Sequence, residues 1–172
     1  MTRSAVVMAS MLAAGGRTPT GRIRARGGPI RSPGETGPVP ESCPCGLPSP
    51  YDRCCGRFHR GEATAPTAEL LMRSRYAAFV VGDAGYLRDT WHPDTRPRQV
   101  ALDPGDWWTG LEVLGRTGGA LFDTVGTVAF RARHRDGVVA EDSMFERRDG
   151  RWFYVGPAPV SDPFTTPRRR RP

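Results

Sequence analysis

The segment from residue 66 to residue 82 shows apolar positions at the spacing of one helix face. These positions are Leu71, Met72, Tyr76, Phe79 and Val80. Thr67, with Glu69 close behind, is a helix start signal, and Gly82 is a stop signal because glycine readily takes the left-handed conformation at a helix end. The pattern predicts one amphipathic helix between Thr67 and Gly82.

A second, shorter helix is predicted directly after the first. Asp83 is a residue type that caps helix N-termini. The apolar positions that follow are Tyr86, Leu87 and Trp91. Pro93 ends this helix, because the residue before a proline is driven out of helical geometry.

Beyond residue 106 the period of the pattern changes to two, which is typical of half-buried strands. The predicted strands are Trp108–Arg116, Asp123–His134, Val138–Arg148 and Arg151–Val155. Hairpin turns are predicted at Asp136-Gly137 and Asp149-Gly150. Two helices followed by an antiparallel meander predict the α+β class, with both helices packed on a curved sheet.

Alternation along the two longest strands assigns their faces. In the second strand Val128, Phe130 and Ala132 share one face, and Arg131, Arg133 and Arg135 share the other. In the third strand Glu141, Ser143 and Phe145 share one face, and Asp142, Met144 and Glu146 share the other. If Phe145 points inward, Glu141 does too.

A pocket inside the curved sheet is a hypothesis that follows from these faces. Arg75 lies one helical turn from both Met72 and Phe79, so an inward Arg75–Glu141 pair can line such a pocket. His92 or His134 then lies near its rim. The alternative is a buried Arg–Glu pair that only ties the structure together.

The formal charge of +7 is concentrated at the two ends of the chain. Residues 43–155 hold fifteen arginines and fifteen carboxylates, and the chain contains no lysine. The central part is therefore neutral, and we expect no specific nucleic-acid binding from it. Weak contact with polyanions through Arg168–Arg171 remains physically allowed.

The two ends of the chain are predicted to be disordered. Residues 1–40 are rich in Gly, Pro, Arg, Ser and Thr, and form either a tail or an over-extended start. Residues 158–172 form an Arg-rich tail. Ala5–Ala14 faintly resembles a signal peptide, but reduced thiols fit the cytoplasm better, and no stretch is long enough to span a membrane.

All four cysteines of the chain lie between residues 43 and 55, as Cys43-Pro-Cys45, eight residues, and Cys54-Cys55. Residues two apart in an extended segment point to the same side, so Cys43 and Cys45 can grip one ion. The connector contains turn formers such as Gly46, so it can fold Cys54 and Cys55 back toward that ion. The pattern predicts a structural, four-sulfur Zn²⁺ site with no open position for a catalytic water.

Two other interpretations of the cysteines are weaker. A disulfide between the neighbours Cys54 and Cys55 would be badly strained, and bridges across the loop suit a smaller, secreted domain. His59 lies four residues past Cys55 and is the alternative fourth ligand. We favour Cys55, because it completes a set of like ligands.

The C-x-C-x8-C-C spacing resembles the SEC-C motif, the zinc-binding element at the C-terminus of the bacterial translocase motor SecA. Further segments are similar, in order and type, to the YchJ-type family of uncharacterised bacterial proteins. These segments are Cys54–His59, Leu71–Phe79, Thr90–Pro93 and Asp149–Tyr154. One departure is Gly46-Leu47-Pro48, where the family usually has Gly-Ser-Gly; the spacing to Cys54 is kept, so we expect ligation to survive.

The resemblance implies zinc binding and a fold, but no activity. It implies a SEC-C knuckle, here residues 41–62, and a nuclear transport factor 2-like cone of cystatin-like shape, here residues 63–157. We favour a zinc-stabilised binding or adaptor module for an unknown protein partner. The alternative is a small-molecule enzyme of isomerase or hydrolase type in the cone; we lean against it, because no nucleophile–base set stands out.

Overall fold

The structure is a computed structural model that describes residues 42–102 and 107–159. Tyr51–Arg53 form a 3₁₀ turn, and the helices are α1 (Gly56–His59), α2 (Ala68–Val81) and α3 (Ala84–Asp89). The strands are β1 (Trp108–Gly118), β2 (Val125–His134), β3 (Gly137–Arg148) and β4 (Arg151–Pro157). The predicted tail at residues 1–40, and residues 160–172 of the second predicted tail, lie outside the described residues.

The four strands form one antiparallel sheet in the order β1-β2-β3-β4. Register shifts interrupt the β1–β2 ladder at Trp108/Gly110 and Val113/Gly115, and the β3–β4 ladder at Met144/Phe145. Such bulges bend the strands in which they occur. The curved sheet packs against α2, and α3 packs against α2 in turn, which confirms the predicted α+β class and the cone.

Helix α2 begins and ends where the sequence predicts, and α3 begins where predicted. The Thr67 side chain accepts a hydrogen bond from the Leu70 N–H at 3.2 Å, which caps α2. Gly82 ends that helix in the left-handed conformation, with φ of 77°. The Asp83 side chain accepts from the Tyr86 N–H at 2.9 Å and caps α3.

Helix α3 is shorter than predicted, because the backbone that follows it forms hydrogen bonds with β4. It ends at Asp89 rather than continuing to Trp91. The Tyr154 N–H donates to the Thr90 carbonyl at 2.9 Å, and the His92 N–H donates to the Tyr154 carbonyl at 2.8 Å. Trp91 therefore forms a parallel bridge with Tyr154. This pairing is a long-range contact that the local pattern does not contain.

One of the two predicted hairpin turns is correct, and the other is displaced by one residue. Asp149 and Gly150 both have positive φ, 49° and 77°, as a type I′ turn requires. His134 pairs directly with Gly137, so the other turn consists of residues 135 and 136, and Gly137 already belongs to β3.

The predicted strand faces are confirmed. Val128, Phe130 and Ala132 are buried on β2, and Glu141, Ser143 and Phe145 are buried on β3. Val80 was predicted on the buried face of α2 but is 37% exposed, because the last turn of the helix extends beyond the core. No helix within residues 42–102 and 107–159 is long and apolar enough to cross a membrane.

The buried apolar residues form two clusters. The larger one fills the cone and includes Leu71, Met72, Tyr76, Phe130, Phe145, Trp152 and Tyr154. The smaller one consists of the four cysteines and Ala77 of α2, with Leu47 and Tyr51 packed against it. Phe58 of α1 belongs to the larger cluster, so the segment with the cysteines is anchored in the cone.

Candidate metal centre and cone cavity

The four cysteine side chains meet at one buried point. The Sγ atoms of Cys43, Cys45, Cys54 and Cys55 all lie within 4.8 Å of one another, and all four are free thiols. The Sγ distances are 3.6 Å for Cys45–Cys54 and 4.0 Å for Cys54–Cys55. Tetrahedral Zn²⁺, with Zn–S bonds of about 2.3 Å, holds its sulfurs about 3.8 Å apart. The donor set fits zinc in number, type and spacing.

Tight backbone turns bring the two cysteine pairs together. The Cys43 N–H donates to the Ser49 carbonyl at 2.7 Å and closes the first loop. Inside that loop Gly46 has φ of 85°, a conformation that L side chains rarely adopt, and its N–H donates to the Cys43 carbonyl at 3.0 Å. The Cys54 N–H then donates to the Tyr51 carbonyl at 3.0 Å, at the end of the 3₁₀ turn. The loop therefore closes even though Gly46-Leu47-Pro48 stands where the family usually has Gly-Ser-Gly.

Hydrogen bonds among the four thiols and their burial shift the thiol pKa values in opposite directions. Hydrogen bonds from Cys45 and then Cys55 hold the pKa of Cys43 well below its usual range. The hydrogen bond to Cys43 raises the pKa values of both Cys45 and Cys55, and burial raises that of Cys54. A coordinated divalent cation deprotonates all of its thiol ligands.

His59 lies beside the cluster, but its ring is engaged elsewhere. Its Nε2 lies 2.9 Å from the Ser74 carbonyl oxygen, and its Nδ1 lies 2.7 Å from the Tyr51 hydroxyl. Because a carbonyl only accepts, Nε2 donates to Ser74 and Nδ1 accepts from Tyr51. Burial lowers the pKa of His59, which favours this neutral form. The compact four-sulfur group does not include this residue.

Helix α2 supports the cluster from below. Ala77 is fully buried against the cysteines, and its small side chain lets the loops approach the helix closely. The Arg73 Nη1 donates to the Cys45 carbonyl at 2.8 Å. The Tyr86 ring of α3 lies 4.4 Å from the His59 ring, centroid to centroid. The knuckle thus contacts both helices of the cone, through the cysteine cluster on α2 and through His59 on α3.

The sequence analysis did not find Arg73, and the arginines nearest to the cysteines in the chain do not take its place. Arg53, Arg57 and Arg60 are all exposed, and Arg60 pairs with Asp52 and Glu62. Arg73 is close only in space. Arg73 and Ala77 are four residues apart on α2, so helical spacing alone predicts that their side chains lie on the same face.

The second candidate site is a cavity of about 30 Å³ inside the cone. Its apolar walls are Met72, Tyr76, Phe79, Phe130 and Phe145. Its polar groups come from Arg75, Trp91, Glu141, Ser143 and Tyr154. The cavity therefore combines an aromatic wall with a few convergent polar groups, which is typical of small-molecule sites.

Arg75 is the buried cation of this cavity. Its Nη1 donates to the Leu87 carbonyl at 2.6 Å and to the Thr90 hydroxyl at 2.8 Å. Its guanidinium carbon lies 4.6 Å from the Tyr154 ring centroid and 5.2 Å from that of Trp91. Burial lowers the pKa of Arg75 to about 10, so the side chain is still charged at neutral pH.

Glu141 and Arg75 line the same cavity, and Tyr154 lies between them. The Oε1 of Glu141 accepts hydrogen bonds from Ser143 at 2.5 Å and from the Tyr154 hydroxyl at 2.9 Å. Burial, followed by the charge of Glu141, raises the pKa of Tyr154. Among the described ion pairs none joins Arg75 to Glu141, so the two are linked through the tyrosine, whose ring faces Arg75.

The two histidines of the pocket hypothesis do not line this cavity. His92 is buried, and its Nε2 lies 3.6 Å from Glu146, which sequence alternation assigns to the outer face of β3. The ring of His134 lies 5.2 Å from that of Trp108, and its Nε2 accepts from the Trp107 N–H at 3.1 Å. The sequence analysis did not include Tyr154 among the residues of the pocket.

Comparison with known proteins places the chain among bacterial relatives. A family profile described as the middle NTF2-like domain of YchJ matches residues 67–157. A UPF0225 protein of Streptomyces avermitilis is 61% identical over 118 residues, which cover 69% of this chain and 84% of that protein. A UPF0225 protein of Corynebacterium glutamicum is 51% identical over 115 residues, which cover 65% of this chain and 92% of that protein.

Two solved structures are similar to this fold. The solution structure of a SEC-C motif containing protein from Rhodopseudomonas palustris has a TM-score of 0.59 at 33% identity, and the match covers 69% of this chain and 98% of that one. The crystal structure of a SEC-C motif containing protein from Psychrobacter arcticus has a TM-score of 0.54 at 28% identity, and the match covers 70% of this chain and 83% of that one.

Proposed function

The chain belongs to the YchJ family, whose members include the UPF0225 proteins, and on that premise we propose that it is a zinc-binding adaptor. One structural Zn²⁺ is held by Cys43, Cys45, Cys54 and Cys55. The observation that carries this proposal is the convergence of four buried Sγ atoms within 4.8 Å of one another. Four thiolates fill the tetrahedron, so the metal organises the knuckle and does not activate a water.

The adaptor role rests on how the knuckle is presented. Its loops are fixed on α2 by Ala77 and by the hydrogen bond from Arg73, while Arg53 and Arg57 are exposed on its outside. A rigid, exposed element that costs little to order is a suitable surface for a protein partner. Because zinc thiolates persist in reducing compartments, we place this function in the cytoplasm.

Metal analysis of the purified full chain tests the zinc site. We expect about one zinc per chain. Cys43→Ser should lose the metal, whereas His59→Ala should largely keep it, because both ring nitrogens of His59 already have hydrogen-bond partners. Full zinc retention in Cys55→Ser, lost only when His59 is also replaced, would contradict this ligand assignment.

Affinity capture from native extract tests the adaptor role. The zinc-loaded chain, the same chain after treatment with a zinc chelator, and Cys43→Ser are used as baits. Val138→Ser is the matched control, since Val138 is exposed on the cone at 58%. We expect a specific partner only with the zinc-loaded chain and the control. Identical partners with and without zinc would overturn the role of the knuckle.

A second candidate function is a small-molecule enzyme of isomerase or hydrolase type in the cone. The observation that favours it is the pair of buried ionisable groups, Arg75 and Glu141, on one cavity. Buried charges of this kind are costly and often mark functional sites. The volume of about 30 Å³ restricts such a site to the polar head of a substrate.

A further inference from the structure

The cone cavity contains hydrogen-bonding atoms for which residues 42–102 and 107–159 provide no partner. We propose that it binds a small neutral group with a carbonyl oxygen and an adjacent N–H, as in a primary amide or a urea. The carbonyl accepts from Arg75 and Trp91, and the N–H donates to Glu141. The inference rests on the cavity of the second candidate function, but it requires no catalysis.

The donors of the site are on Arg75 and Trp91. Only Nη1 of Arg75 has hydrogen-bond acceptors within residues 42–102 and 107–159, although the side chain is almost wholly buried. The indole Nε1 of Trp91 is buried and has no hydrogen-bond partner in the same part of the chain. A buried donor without an acceptor is costly, so the Trp91 indole calls for an oxygen atom in the cavity, and Arg75, which lines the same cavity, offers a second donor to that oxygen.

The acceptor of the site is Glu141. Its Oε1 takes both hydrogen bonds that the carboxylate receives, one from Ser143 and one from Tyr154. Its Oε2 accepts none from the described residues. A ligand N–H can therefore use an oxygen for which the described part of the chain provides no donor.

The charges of the cavity select a neutral ligand. Among the residues that line the cavity, Arg75 is the one with a positive charge and Glu141 is the one with a negative charge. An anion would meet the carboxylate of Glu141, and a cation would meet the guanidinium of Arg75. A neutral group that is an acceptor on one side and a donor on the other satisfies both without repulsion.

The size and the walls of the cavity set the scale of the ligand. A volume of about 30 Å³ equals the space of about two water molecules, which is comparable to the heavy atoms of one amide head group. The rings of Phe79, Phe130 and Phe145 offer flat apolar surface for a planar group. If the cavity served only to tie the fold together, a direct Arg75–Glu141 ion pair would be the simpler arrangement.

Nuclear magnetic resonance of the ¹⁵N-labelled, zinc-loaded full chain tests the site. Acetamide and urea are the neutral probes, and acetate and guanidinium are their charged counterparts. Trp91→Phe identifies the indole N–H signal of Trp91. We expect acetamide and urea to shift this signal in a saturable, millimolar titration, with at least a tenfold weaker response to either ion.

A charge exchange makes the test specific. Glu141→Gln leaves the cavity with a net positive charge, so acetate should now bind better than acetamide; Glu146→Gln, on the same strand, should leave the preference unchanged. Dispersed spectra and full zinc content confirm that each variant is folded. A Trp91 signal that neither acetamide nor urea shifts in the wild-type chain, or an unchanged preference in Glu141→Gln, would overturn the proposal. Binding without conversion of the amide supports the site and contradicts only the enzyme.

Discussion

The knuckle and the cone are both organised around buried clusters, but the two clusters differ in kind. The cone encloses a large set of aromatic and aliphatic side chains and is held by one four-stranded antiparallel sheet. The knuckle buries four cysteines and Ala77, with only Leu47 and Tyr51 beside them. So few side chains cannot offset the entropy of ordering the loops, so we expect a metal and the surface of α2 to supply the missing stabilisation.

Removing the zinc should have the largest effect on this contrast. Structural zinc contributes about 10–16 kcal/mol in small zinc-binding units. A chelator should therefore disorder residues 43–57, while the strands and α2 stay folded through their own core. Amide signals followed by nuclear magnetic resonance measure both regions at once. A cooperative loss of all signals would show that knuckle and cone share a single folding unit.

Truncating the cone core tests the opposite direction. Leu71 is 2% exposed within the larger cluster. Leu71→Ala should lower the free energy of unfolding by about 2–5 kcal/mol, because it removes buried methyl groups and leaves a cavity. Urea denaturation followed by circular dichroism measures the loss. We expect unchanged zinc content under native conditions; zinc loss while the cone is still folded would mean that the core controls the metal site.

Overpacking the contact between the two regions should have an intermediate effect. Ala77 of α2 is fully buried against the cysteines. Ala77→Leu should cost about 1–3 kcal/mol, because a larger side chain forces the loops away from the helix. Competition with a zinc chelator should also show weaker metal binding. Val81→Leu on the exposed end of the same helix is the control, and equal zinc affinity in both variants would contradict a role for this contact.

Removing a helix cap should have the smallest effect and should stay within the cone. Thr67 caps α2 by accepting from Leu70. Thr67→Ala should reduce stability by about 1 kcal/mol, whereas Thr67→Ser, which keeps the hydroxyl, should lose much less. Thermal unfolding distinguishes the two. A measurable change in zinc affinity with Thr67→Ala would show that stability losses in the cone reach the knuckle.

Much of the cone was predictable from local patterns. Thr67 marks the start of α2 and Gly82 marks its end, because helix caps act within one turn. Asp149-Gly150 forms a hairpin turn because both residues tolerate positive φ. The alternation that places Phe145 and Glu141 on one face follows from the strand period alone. The four-cysteine set was likewise visible in the sequence, because all of its members lie within thirteen positions.

The remaining features were decided by tertiary contacts between distant residues. Trp91 lies outside α3, because the backbone on either side of it forms hydrogen bonds with Tyr154 of β4. No pattern within α3 encodes that strand. Neither ring nitrogen of His59 is available as a metal ligand, because Tyr51 and Ser74, from two other segments, are hydrogen-bonded to them. The sequence by itself determined which side chains are available for a metal and which face inward. Only the packed structure determined which hydrogen-bonding atoms are already used, as Nη1 of Arg75 is, and which, like Nε1 of Trp91, are buried without a partner among the described residues, because that depends on partners far apart in the chain.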